Sequence, residues 1–246
     1  LLLFFSVNSW DQNTNAKQNK FRQLDADLPT PNVYRTASGA PGHAYWQNTA
    51  DYQMDIVLDD DKQRIYGVEK INYTNKSPDD LEYLWIQLDQ NVRNPESETY
   101  KIQQGNIKDG VSLYEYFNLF HTFPGGFNIE YVNDENGNSF SVKVNHTMMR
   151  VDLAKPLQSG DSIAINIKWW YNINDRMEMG GRSGYEYFKE EDNYLYTIAQ
   201  FFPRMAVYSD VTGWQNKQFL GRGEFTLPFG DYDVKPTAPE SMVAGA

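Results

Sequence analysis

The stretch Asp51-Tyr52-Gln53-Met54-Asp55-Ile56-Val57-Leu58-Asp59-Asp60-Asp61-Lys62, with Ile65 to Tyr73 after it, decides the fold class. Tyr52, Met54, Ile56 and Leu58 alternate with Gln53, Asp55 and Val57, the period of two that puts one face of a strand on a core. Asp59 to Lys62 has the composition of a turn, so Ile65 to Tyr73 reads as the returning limb of an antiparallel hairpin. Ser77-Pro78-Asp79-Asp80 turns the chain again before Leu81-Glu82-Tyr83-Leu84-Trp85-Ile86-Gln87-Leu88, a run apolar enough to be buried on both faces. The three limbs are expected to form a meander.

Outward from this centre the same pattern recurs. Phe127 to Val132 reads as a strand, Asn136-Gly137 is a strong type I′ hairpin signal, and Phe140, Val142 and Val144 begin the return limb. Met148 to Leu153, Ser162 to Tyr171, Asn193 to Gln200 and Gln218 to Phe229 follow as strands, and Asp231 to Lys235 starts another. Residues 93 to 126 read as an insertion or irregular excursion, with a Tyr- and Phe-rich piece from Leu113 to Phe123. No stretch of ten or more residues carries a helical period. The expected fold is all-β, a twisted multi-sheet sandwich in one domain.

Composition points the same way and closes off several functions. With 246 residues, 15% aromatics, 17 Tyr, 14 Phe and 6 Trp, the chain can bury a large core and is too rich in β-favouring side chains to be disordered. A net charge of −11 and a pI near 4.7 repel phosphate backbones and anionic lipid, which argues against nucleic-acid binding. The absence of Cys removes thiol nucleophiles, thiolate metal sites and disulfides, and leaves the redox compartment undecided.

The longest apolar run, Leu1 to Phe5, falls far short of the ~20 residues of a membrane span. Followed by the polar Asn8 to Asn19, it reads as the tail of a secretory signal or as an end docked on the fold. The first reading implies export, to the periplasm or cell envelope. Residues 8 to 45, punctuated by Pro29, Pro31, Gly39, Pro41 and Gly42, read as an extended arm, so the chain divides into residues 1–45 and a β-domain at 46–246.

Chemical motifs are sparse. His43, His121 and His146 stand alone, without ligand spacing, so no metal site is assigned. Asp134, Asn136 and Asn138 alternate as in a calcium loop but lack its Gly and distal Glu, and are read as a hairpin turn. Gly181-Arg182-Ser183-Gly184 matches neither Gly-x-Ser-x-Gly nor a phosphate loop and reads as a mobile Gly-rich loop. Glu190-Glu191-Asp192 reads as a solvated turn, and no catalytic residue is assigned. Trp169-Trp170-Tyr171 and the Tyr185 to Tyr196 region could stack sugars, except that consecutive strand residues face opposite ways, so one Trp belongs to the core. Asn-x-Ser/Thr triplets at Asn72, Asn75 and Asn145 are permissive for glycosylation.

Several separated blocks carry a more specific signal. Tyr194-Leu195-Tyr196-Thr197-Ile198-Ala199-Gln200-Phe201-Phe202-Pro203-Arg204-Met205-Ala206-Val207-Tyr208, Gly213-Trp214 and Phe219 to Phe225 resemble the N-terminal β-domain of the aminopeptidase N family of zinc metallopeptidases, in its bacterial branch. Tyr45-Trp46-Gln47 with Asp51-Tyr52, Leu84 to Asn91 and Phe229 to Val234 extend the likeness from about residue 41 to the last residue.

The resemblance implies a saddle of sheets that closes one side of the active-site cleft of a thermolysin-like catalytic domain in the same polypeptide. Zinc would be held by that domain. Its Gly-x-Met-Glu-Asn and His-Glu-x-x-His motifs do not occur in residues 1 to 246. The family also places a Gln, and two residues later Glu or Gln, against the first residue of the peptide substrate. Gln200 matches the first position; Phe202 stands at the second, so the amine-binding carboxylate is replaced by an apolar wall. Arg204 is read as orienting that loop or meeting the partner domain. The other open reading is a stand-alone β-sandwich that binds a protein or glycan.

Overall fold

The computed structural model describes residues 31–99, 123–221, 223 and 225–245. The apolar start, His121 and most of the excursion at 93–126 lie outside the described residues. Contacts divide the chain into Leu1–Tyr45 and Trp46–Ala246. In the first unit residues 31–45 double back through a bridge between Arg35 and Pro41 rather than running extended.

Trp46–Ala246 is built from strands. The opening hairpin forms as expected: β1 (Thr49–Asp59) pairs antiparallel with β2 (Arg64–Thr74) in unbroken register, Tyr52 opposite Ile71 and Met54 opposite Glu69. Even-numbered residues of β1 and odd-numbered residues of β2 are buried, as the alternation requires. The meander does not form. β3 (Leu81–Gln87) leaves this sheet and pairs with β6 (Met148–Leu157), while β2 takes β7 (Ser162–Asn172) as its other neighbour. The departure is fixed by Asn75, whose buried amide donates to Asp79 O at 2.7 Å and to Leu157 O at 3.0 Å, pinning the turn onto the end of β6.

A second sheet switch follows. β4 (Asn128–Asn133) lies beside β7, but beyond Ser139 the return limb crosses over, and β5 (Ser141–Asn145) pairs with β6. The connecting turn is not type I′, because Gly137 has a positive φ of 83° and Asn136 does not. Asp134 organises it instead, its Oδ1 accepting from the Asn136 and Asn138 amides at 2.8 Å each. These bonds, with that from the Asn138 side chain first among them, hold the Asp134 carboxyl below its ordinary range.

β8 (Gly184–Phe188) and β9 (Asn193–Thr197) form a separate hairpin, and β10 (Arg204–Met205) joins the edge of β3. β11 (Tyr208–Ser209) pairs with β12 (Gly213–Trp214), and β13 (Tyr232–Thr237) runs parallel to β1. The sheet orders are β13-β1-β2-β7-β4 and β10-β3-β6-β5.

Gln218 to Phe229, expected as a strand, contains none among its described residues. Gly221 and Gly223 adopt positive φ, and the Phe219 amide is taken by the Thr147 hydroxyl at 2.7 Å rather than by a ladder. The inner faces of the two large sheets share one core, with Ile71, Tyr73, Ile165, Ile167 and Trp169 from one and Leu84, Ile86, Met149 and Val151 from the other. The Tyr52 hydroxyl crosses it to accept from the Met205 amide at 2.9 Å. The fold is nearly all β, as expected.

Candidate functional site

Residues 198–203 link β9 to β10, which lies at the edge of the four-stranded sheet, and Gln200 sits in their middle with φ 53°. A non-glycine residue holds the left-handed region only where its surroundings impose it. Here two side chains do so. Gln90 Nε2 donates to the carbonyl of Ala199 at 2.9 Å and to that of Gln200 at 3.1 Å. Ser183 Oγ accepts from the Ala199 amide at 2.8 Å and donates to the Ala199 carbonyl at 3.1 Å.

Both anchors are themselves held. Arg93 Nη1 donates to Gln90 Oε1 at 2.8 Å, and the Asn174 amide donates to Ser183 O at 3.1 Å. Gln90 is buried on the 3-10 helix Asp89–Arg93, which begins directly after Leu88. The Gly-rich loop therefore is not a loose excursion: buried Ser183 fastens it to the Gln200 turn, and Gly184, at φ 152°, lies where a Cβ would stand 2.7 Å from the Asn174 carbonyl. Neither Gln90 nor Ser183 stood out from the sequence as a site residue. Gln90 lies within the Leu84 to Asn91 block, and its signal was a polar run that stays buried past the end of a strand.

With its backbone fixed, the half-buried Gln200 side chain has no hydrogen-bond partner among the described residues. Phe202 is turned the other way. It meets Tyr52 edge-on at 5.4 Å and Tyr232 at 6.2 Å, and Tyr52 and Tyr232 stack at 4.9 Å. Burial pushes the Tyr52 hydroxyl well above its ordinary range, so it stays neutral. Arg204 forms an ion pair with Asp89 and donates to Gln87 Oε1 at 3.5 Å. Phe202, Tyr52 and Tyr232 thus form an apolar aromatic cluster two residues along the chain from Gln200.

Among the described residues no group of three or more His, Cys, Asp or Glu side chains could hold a metal ion, so a zinc ion has no ligand set here. His146 pairs with Glu98 at 3.1 Å. Glu190, Glu191 and Asp192 form the exposed tip of the β8–β9 hairpin. Trp169 is fully buried and Trp170 faces outward, with the Arg64 guanidinium 4.0 Å above its ring, so the outward indole is capped. Asn75 is buried, whereas Asn72 and Asn145 are exposed. Among the described residues no helix is long and apolar enough to cross a membrane.

No protein-family model matches the sequence, and no curated protein does. Solved structures similar to this chain include an M1 zinc metallopeptidase from Deinococcus radiodurans, with 11% identity, 82% of this chain and 35% of that chain covered, and a TM-score of 0.40. A mutant of it bound to a Tyr-Ser-Ala substrate gives 11% identity, 81% and 34% coverage and a TM-score of 0.39. A mutant of a two-domain M1 zinc metallopeptidase bound to L-arginine gives 12%, 82%, 35% and 0.39. The chain spans about a third of the length of these enzymes.

Proposed function

We propose that this chain is the N-terminal, non-catalytic β-domain of an exported zinc-dependent aminopeptidase, lining the cleft in which a peptide's first residue is held. The reading rests on the sequence blocks that resemble that family and on one observation above all: the Gln200 amide is projected, unpartnered, from a turn that Gln90 and Ser183 fix at consecutive carbonyls. An amide on a pre-formed turn loses little entropy on binding, which is what a positioning contact requires.

In this reading metal and hydrolysis belong to a thermolysin-like domain of the same polypeptide. This chain's residues bind and orient. The Gln200 amide meets a polar group of the substrate's first residue, and the Phe202, Tyr52 and Tyr232 corner makes the adjoining wall apolar. The net charge of −11 favours approach of a cationic peptide N-terminus, an effect screened by salt.

Gln200→Ala tests the assignment in the complete enzyme. Loss of one polar contact is expected to lower kcat/KM toward short peptides by about 1–2 kcal/mol, with the melting temperature unchanged. Unchanged kinetics in that variant would remove Gln200 from the cleft.

A further inference from the structure

We propose that Glu69 is kept in the core as an uncharged acid, so that folding takes up one proton at this residue and the domain is held together more firmly in acid than at neutral pH. This does not depend on the peptidase reading. Glu69 lies on the inward face of β2, between Gly67 and Ile71, and is 1% exposed. Across the sheet its row neighbours are Met54 on β1 and Ile167 on β7. Among the described residues neither carboxyl oxygen has a hydrogen-bond partner of ordinary geometry.

Trp169 completes the enclosure. Gly67 has no side chain, and the indole occupies the space a Cβ there would need. Its N–H lies close enough to the Glu69 carboxyl to favour the charged form in part, though without the geometry of an aligned hydrogen bond, and it has no other partner among the described residues. Burial pushes the Glu69 acid well up from its ordinary range, and the indole opposes this only in part.

Among the described residues no cation compensates a charge here. On β2 itself Lys70 points outward to Glu135, and on β7 Lys168 points outward to Glu130. β1 presents Tyr52, itself kept neutral by burial, and β7 presents Tyr171, whose hydroxyl burial also pushes up. From the opposite sheet Leu84, Ile86, Met149 and Val151 are apolar, and Arg204 on β10 is engaged by Asp89. A carboxylate in this place would be a buried charge without a counter-ion.

The sign follows from proton counting. Above the free glutamate range, about pH 4.3, the unfolded chain releases this proton while the folded chain keeps it, so rising pH favours unfolding. Urea unfolding of the 246-residue chain and of Glu69→Gln from pH 5 to 8 isolates the effect, since the other carboxylates cancel in the ratio. The ratio of unfolding constants, wild type over variant, is expected to rise by up to about tenfold per pH unit. A ratio independent of pH would overturn the proposal. Infrared spectra of the wild type at pH 7 stand independently of the variant's folding. A protonated-carboxyl band that persists there and shifts in D2O supports the assignment, and ionised bands alone contradict it.

Discussion

Asp89 and Arg204 show what a single pair can fix. Their side chains are 2% and 11% exposed, so each charge has left water and depends on the other. The pair ties the start of the 3-10 helix, which carries the Gln90 clamp, to β10 at the end of the Gln200 turn. Arg204→Met removes the ion-pair partner of a buried carboxylate and is expected to destabilise the domain by about 1–3 kcal/mol in urea unfolding. Gln200→Ala in the same assay should leave stability within about 0.5 kcal/mol, because its side chain supports nothing in the fold. The contrast separates a residue that builds the edge from one presented by it.

At the scale of elements the hairpin β1–β2 and its partner β7 show the interplay of small and large side chains. Trp169 can lie against β2 only because residue 67 is Gly. Gly67→Ala drives a methyl group into the indole ring and is expected to destabilise the domain by about 1–3 kcal/mol. Altered tryptophan fluorescence of the folded variant would mark the displaced ring.

The alternation of apolar and polar residues made β1 and β2 legible, because each buries one face and a period of two is a local property. Sheet membership was not legible. The turns after β2 and β4 carry ordinary turn residues, and what sends the chain across the core is Asn75 reaching Leu157, a contact between residues far apart in sequence. The segment 218–229 misled for a related reason: its apolar residues suggest a strand, but the Phe219 amide is taken by the Thr147 hydroxyl, and the Gln218 side chain in turn accepts from the Thr147 amide. Gln200 was legible through resemblance alone. The clamp around it comes from Gln90, 110 positions away, and from a serine in a loop that looked featureless.

Over the whole molecule, one core between two sheets carries a ring of aromatic contacts and an acid at its centre, while the edge beside β10 presents an amide and an apolar corner. In the function proposed above, this chain positions a peptide and a further domain of the same polypeptide breaks the bond. The measurement that bears most directly on that account is the release of N-terminal residues from short peptides by the complete natural polypeptide, before and after treatment with a zinc chelator. The account predicts release that the chelator abolishes and added zinc restores. Absence of any chelator-sensitive release would contradict it, and would leave a β-sandwich whose edge serves a protein or glycan partner.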